Sequence, residues 1–182
     1  GADRISINPQ TMNDDVLAAC GRPHTAQDVL RSYQQQVSRI FSSAMLYVDA
    51  DAAESDKISQ LYTFLMQLED YSIVTSITPA YSLLRQGQGD SKAFATVFAA
   101  MCREAGLGCQ VVTGTRWGEA WYWNMVKDET GWHHVDIILC SQGDGLVYRA
   151  DAEMEGYVWD YEAYPTSNLP EPTEPAPTEV TE

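Results

Sequence analysis

Basic residues are scarce in this chain, and long apolar runs are absent from it. The 182 residues include 26 Asp and Glu against 11 Lys and Arg, so the formal net charge is −15 at pH 7. A field of this sign repels phosphate backbones and anionic lipid headgroups, which argues against nucleic acid as a partner. Because no apolar run reaches about 18 residues, we also expect no direct insertion of this segment into a membrane.

Recognisable cysteine motifs and a leader segment are missing as well. Cys20, Cys102, Cys109 and Cys140 form no CxxC pair and no His and Cys spacing typical of a metal site, so we expect no metal and no cofactor. Buried structural thiols are the favoured interpretation, and the spacing leaves any disulfide pairing open. The start, GADRISINPQ, lacks the positively charged region and the apolar region of a secretion signal. This fits a cytosolic protein or an exported one whose signal has been removed.

The composition is sufficient for one folded domain. A hydrophobic fraction of 45%, with five Trp and ten Tyr, supports a single core at this length. We interpret residues 1–23 as an irregular N-terminal segment and residues 24–165 as the domain. Residues 166–182, TSNLPEPTEPAPTEVTE, hold four of the eight prolines interleaved with Glu and Thr, which predicts a disordered tail or linker similar to the spacers of exported proteins.

Apolar spacing predicts three helices in the first part of the domain. The first covers about 26–41, the second lies within 57–71, and the third runs from Ser91 to Ala105 and ends at Gly106. The third helix is apolar nearly all round, so we expect it to be central and buried. Its apolar stripe consists of Phe94, Val97, Phe98, Met101 and Cys102.

Beyond the third helix the apolar period changes to two residues. This period predicts an antiparallel sheet with turns at 128–131 and 143–145, and the fold class is α+β. Strand alternation over 131–139 places His134, Asp136 and Ile138 on one face, and a second alternation places residues 121, 123 and 125 on another.

Three motifs then follow in order: GDSKAFA at 89–95, WYWNMV at 121–126 and GWHHVDIIL at 131–139. They resemble the transglutaminase-like family of the papain-like cysteine-nucleophile superfamily, in which Gly-x-Cys opens the central helix, His-Ala-Trp-Asn-x-Val lies on a strand and Trp-x-x-Val-Asp follows. The resemblance extends over a core of 54–165. It implies a papain-like fold in which N-terminal helices and a central buried helix pack on an antiparallel sheet.

The resemblance also implies that the catalytic triad is degenerate. Ser91 stands at the position of the nucleophilic Cys and Trp121 at that of the catalytic His, and only Asp136 is retained. A serine hydroxyl needs a base more than a thiol does, and an indole is not a base. A catalytically inactive domain is therefore expected. The alternative is a hydrolase or acyltransferase of peptide or amide bonds that uses Ser91 with His133 or His134 as an unexpected base.

For Ser91 and Asp136, a structural role is favoured over a catalytic one. Ser91 is then a helix cap, and Asp136 is a buried carboxylate bonded to the Trp121 indole or to Ser91. A deliberate replacement of Cys by Ser would explain position 91 but not Trp121. For Trp123 a place in the core is the better interpretation.

The aromatic residues around the second motif suggest a second use for the former cleft. Trp121 either plugs the cleft or helps to line an aromatic groove for a peptide or a glycan. We expect such a module on the surface of a bacterial cell, as part of an exported, acidic, lipoprotein-like protein, and its oligomeric state stays open. The candidate groove residues are Trp117, Trp121, Trp123, Asn124 and His134.

Overall fold

The computed structural model describes residues 26–68, 70–71, 83, 88–143 and 145–167, and helices make up most of the described part that precedes the main sheet. Helix α1 is Ala26–Tyr47 and helix α2 is Glu54–Leu68. The predicted end of α1 at Phe41 was too early, because residues 42–47 contain no Gly or Pro and bring the fully buried Ala44 into the core. On α2, the residues Ile58, Leu61, Tyr62 and Leu65 are buried.

Helix α3, Ser91–Glu104, is central, as predicted, and its whole apolar stripe is buried. Its N-cap is Asp90 and not Ser91, since the Asp90 carboxylate accepts the backbone N–H of Ala93 at 2.9 Å. After the C-cap residue Ala105, Gly106 adopts a left-handed φ of 76°. The Leu107 N–H then bonds back to the Cys102 carbonyl at 2.8 Å, which completes a glycine-dependent helix ending.

A parallel pair joins β1, Asp70–Tyr71, to β2, Gln88–Gly89. The main sheet is separate from this pair and antiparallel, and its four strands are β3 Cys109–Arg116, β4 Glu119–Asp128, β5 Gly131–Val135 and β6 Tyr157–Trp159. Their spatial order is β5-β4-β3-β6. The predicted turn at 128–131 is present, because Asp128 faces Gly131 across β4 and β5.

The two faces of the sheet pack against different partners. On one face Asn124 donates its side-chain N–H to the Ala95 carbonyl of α3 at 2.9 Å, and Val126 joins the main core. On the other face Trp121, Trp123 and Met125 share one side, as predicted. Trp123 and Met125 belong to a second core, the aromatic cluster, and Trp121 packs against it. The aromatic cluster consists of Val112, Trp123, Met125, Met154, Tyr157 and Trp159.

The predicted strand through 131–139 is wrong in its second half. Strand β5 ends at Val135, and a short helix α4, Ile137–Ser141, follows it. Asp136 causes the change of direction, because its side chain accepts the backbone N–H groups of Ile138 and Leu139 and so caps the helix. His134, Asp136 and Ile138 therefore do not share a strand face.

Helices packed on a curled antiparallel sheet give the α+β papain-like, transglutaminase-like fold. Within the described ranges, no helix is long and apolar enough to cross a membrane. The thiols of Cys102, Cys109 and Cys140 are free, and Cys20 lies outside the described residues. The predicted segment 1–23 also lies outside them. Of the predicted tail, 166–182, the structure describes only Thr166 and Ser167, and Ser167 is fully buried.

A buried polar chain crosses the aromatic cluster. The Trp123 indole donates to His134 Nδ1 at 2.9 Å, and His134 Nε2 contacts the Asp151 carboxylate at 2.8 Å. Asp151 also accepts the backbone N–H of Ser167 at 3.1 Å. Because an indole can only donate, His134 must be neutral with its proton on Nε2. Burial lowers the pKa of His134 below its usual 6.5, although the Asp151 contact opposes that shift.

Stability is expected to fall as the pH drops below about 6.5. Below that pH the unfolded chain protonates His134 more readily than the folded chain does, so protonation favours unfolding. The contribution of neutral His134 to the free energy of unfolding is therefore complete above the unfolded pKa and is lost as the pH falls below it. Urea unfolding between pH 5 and 7.5 measures the effect, and His134→Asn should flatten that part of the profile. Parallel profiles for the two proteins, or an NMR titration that puts the folded pKa of His134 above 6.5, would contradict this expectation.

Candidate functional site

The carboxylate of Asp136 lies at the junction of β4, β6 and α4 and is 1% exposed. One oxygen, Oδ1, accepts the backbone N–H groups of Ile138 and Leu139, each at 3.1 Å. The other, Oδ2, accepts the Trp121 indole N–H at 2.7 Å and the Tyr157 hydroxyl at 2.6 Å. Of the two partners expected for Asp136, the structure therefore selects Trp121 rather than Ser91.

Tyr157 was missed from the sequence, where its segment was interpreted only as part of the antiparallel sheet. Burial and the neighbouring Asp136 charge raise the pKa of Tyr157 well above its usual value, so the hydroxyl stays protonated and donates. Alternation on β6 places Tyr157 on the same face as Trp159, in the aromatic cluster. Knowing which side chain it meets requires the pairing of β6 with β3, a contact between segments forty residues apart that no local pattern encodes.

Trp121 is half-buried on β4 and lies opposite Gly114 of β3. It contacts both cores, so it fills the corner between them. The glycine is required there, because a Cβ at position 114 would lie 2.9 Å from the Trp123 ring and would also collide with the Val158 carbonyl. The indole therefore supplies one N–H donor to Asp136 and an apolar surface, and it has no basic atom.

Ser91 is the first residue of α3 and is 7% exposed. Its hydroxyl makes no hydrogen bond to any residue in the described ranges, so no histidine or carboxylate there is bonded to it as a base. The N-terminal end of α3 offers a partial positive charge to an anion at this point. A helix end alone does not remove the proton from a hydroxyl.

The two described histidines are bonded elsewhere. His134 is held between Trp123 and Asp151. His133 Nε2 contacts the Asp128 carboxylate at 2.9 Å and the Thr130 hydroxyl at 2.8 Å, in the turn between β4 and β5. Burial raises the pKa of Asp128, but the hydrogen bonds from Thr130 and the contact with His133 outweigh burial and leave that pKa lowered. His24 lies outside the described residues.

The candidate groove residues do not all reach the surface. Trp123, Asn124 and His134 are each 0% exposed, so a groove can draw only on Trp117 and Trp121 from this set. Trp117 is 67% exposed and has a left-handed φ of 52°, which is strained for a bulky residue. Its ring covers Gly156, where a Cβ would lie 2.6 Å from the indole.

The described residues contain no group of three or more His, Cys, Asp and Glu side chains that could hold a metal ion. No general base faces the serine within the described ranges.

Residues 42–137 match the transglutaminase-like superfamily, which is slightly more than half of the chain. The match includes positions 91, 121 and 136. None of the curated proteins matches the chain significantly.

Solved structures with a related arrangement include three proteins. A TGase aligns with TM-score 0.48 at 16% identity, over 68% of this chain and 35% of its own. A candidate cysteine protease from Cytophaga hutchinsonii gives 0.49 at 16%, over 67% and 46%. A candidate protease from Parabacteroides distasonis gives 0.45 at 11%, over 59% and 25%. The chain thus spans less than half the length of each, and at these identities nothing about its activity follows.

Replacing Asp136 by Asn is expected to destabilise the fold by ~2–3 kcal/mol, since a charged, fully bonded acceptor is lost. The amide keeps an oxygen for the helix α4 N–H groups, but it turns an NH2 group towards the donors of Trp121 and Tyr157. Chemical denaturation measures the change, and Asp51→Asn on the exposed surface is the matched control. Equal effects of the two substitutions would show that the Asp136 contacts contribute nothing specific.

Proposed function

Because the chain belongs to the transglutaminase-like superfamily, we propose that it is a non-catalytic member that acts as a binding or structural module. The observation that carries this proposal is the hydrogen bond from the Trp121 indole to Asp136. In the family pattern, an imidazole at this position is oriented by the carboxylate and moves the proton of the nucleophile. Here an indole, which moves no proton, occupies the same relation to the carboxylate.

The surroundings of Ser91 support the same proposal. A thiol at the start of a helix ionises near neutral pH with modest assistance, whereas a serine hydroxyl requires a positioned base. His133 contacts the Asp128 carboxylate, and His134 contacts the Asp151 carboxylate. For either to serve Ser91, it would have to break a buried contact with a carboxylate.

Charge and composition support a place outside the cell. We infer that the chain is displayed on a bacterial surface, because the Pro, Glu and Thr-rich residues 166–182 are typical of spacers and the net charge of −15 favours solubility in a solvated layer. The ligand would be a peptide or a glycan that meets the exposed Trp117 and the edge of Trp121.

The folded protein is expected to resist a serine-directed fluorophosphonate probe. Ser91 lacks a described base, so labelling should not exceed that of Ser91→Ala. Intact-mass measurement after incubation with the probe gives the stoichiometry. Stoichiometric labelling of position 91 in the wild-type protein, abolished by Ser91→Ala, would overturn the proposal and establish the serine hydrolase instead.

Restoring two residues should restore thiol reactivity to the scaffold. In the double variant Ser91→Cys and Trp121→His, Asp136 can orient the new imidazole, which can then withdraw the proton of the new thiol. The rate of alkylation by iodoacetamide at position 91, followed by mass spectrometry at pH 6–8, is expected to exceed that of Ser91→Cys alone by at least about tenfold. Equal rates would mean that Trp121 is not what separates this chain from catalysis.

A further inference from the structure

The guanidinium of Arg116 has no anionic partner among the described residues. Arg116 is half-buried at the end of β3, and its Nε is buried without a hydrogen-bond acceptor. No described residue forms an ion pair with Arg116 or accepts a hydrogen bond from it. An unpaired arginine in a chain with 26 acidic residues is therefore a group that a carboxylate ligand would complete.

Two aromatic rings fix the position of this guanidinium. Its central carbon lies 5.4 Å from the centre of the Trp121 ring and 5.6 Å from that of the Tyr157 ring, within cation–π range. Both rings are themselves held, because each donates to the same oxygen of Asp136. A planar guanidinium held beside two rings can still present N–H groups to a ligand, and two such groups match the two oxygens of a carboxylate.

Asp136 cannot serve as the missing partner. Both of its oxygens are occupied by the four donors described above, and its carboxylate is not within ion-pair distance of Arg116. The pair of rings therefore separates a satisfied buried anion from an unsatisfied cation nearer the surface. An incoming carboxylate would not compete with any described contact of Arg116.

The sheet edge beside Arg116 favours a peptide over a sugar acid. Strand β6 pairs with β3 on one side, and no strand in the described ranges pairs with its other side. An extended peptide can add to such an edge through backbone hydrogen bonds, which a glycan cannot do. Trp117, next to Arg116 in sequence, adds an exposed aromatic surface held over Gly156.

We propose that Arg116, Trp121 and Tyr157 form a carboxylate-binding site for an extended acidic peptide, and that Trp117 contacts the residue beside the acidic one. This proposal rests on the proposed function, since it names the class of ligand that the non-catalytic module would bind. General electrostatics cannot produce such binding, because a net charge of −15 repels an acidic peptide. Tighter binding of a Glu peptide than of the same peptide with Gln would therefore indicate a cation at the binding site.

The test uses the whole 182-residue chain and a fluorescent, end-blocked peptide of seven residues with one central Glu among Val and Thr. Its twin carries Gln in place of Glu. Fluorescence anisotropy is expected to give at least about tenfold tighter binding of the Glu peptide, because a bidentate pair replaces an unpaired cation. Arg116→Gln should abolish the preference, and the exposed Arg103→Gln, with the same charge change, should retain it.

Equal affinity for the two peptides overturns the site, as does equal loss in Arg116→Gln and Arg103→Gln. Binding of a glucuronic acid disaccharide without binding of the Glu peptide overturns the choice of a peptide. If near-UV circular dichroism shows that Arg116→Gln is unfolded, Arg116→Lys replaces it, and an unchanged Glu preference in that variant contradicts the need for a planar fork. Labelling of Ser91 by a fluorophosphonate would refute the absence of catalysis while leaving this comparison intact.

Discussion

A single buried carboxylate, that of Asp136, holds together the parts of this molecule that are far apart in sequence. Its four donors come from the start of α4, from β4 and from β6, and all are neutral groups. A buried ion is tolerated only when its lone pairs are used, and here each oxygen accepts two hydrogen bonds. The end of β5, the direction of α4 and the docking of Trp121 all depend on that arrangement.

Under the proposed function, the same arrangement explains how a catalytic position could be replaced without loss of the fold. Trp121 donates to Asp136, and it adds a large apolar surface to the corner between the two cores. The carboxylate thus has a hydrogen-bond partner on β4 that is not a base. In this proposal the chemistry of the site changes, while the geometry that positions strands β4 and β6 persists.

Helices, turns and the fold class were predictable from the sequence because they rest on local periodicity and on ordered motifs. The buried stripe of α3 and the turn at 128–131 follow from the spacing of apolar residues and of Asp and Gly. The break after Val135 was not predictable, because GWHHVDIIL alternates like a strand and only the capping role of Asp136 reverses it. Local pattern and tertiary contact disagree at that point, and the contact prevails.

Within the site, the Trp121 to Asp136 contact was within reach of sequence reasoning, whereas Tyr157 and Arg116 were not. The first follows from two motifs whose relative position the family fixes, and the others depend on the pairing of β6 with β3. The burial of Asn124 and His134 was equally hidden. The Asn124 side-chain N–H donates to the Ala95 carbonyl, and His134 bonds to Trp123 and Asp151, partners that lie 11 to 29 residues away.

The cap of α3 has one more consequence. Because Asp90 performs the capping, the start of the helix does not depend on a hydrogen bond from the side chain at position 91. Ser91 is buried, so a residue of similar size, such as cysteine, can replace it while the helix begins in the same way. Under the proposed function, an exchange between a cysteine nucleophile and a serine at this position therefore need not cost the protein its fold.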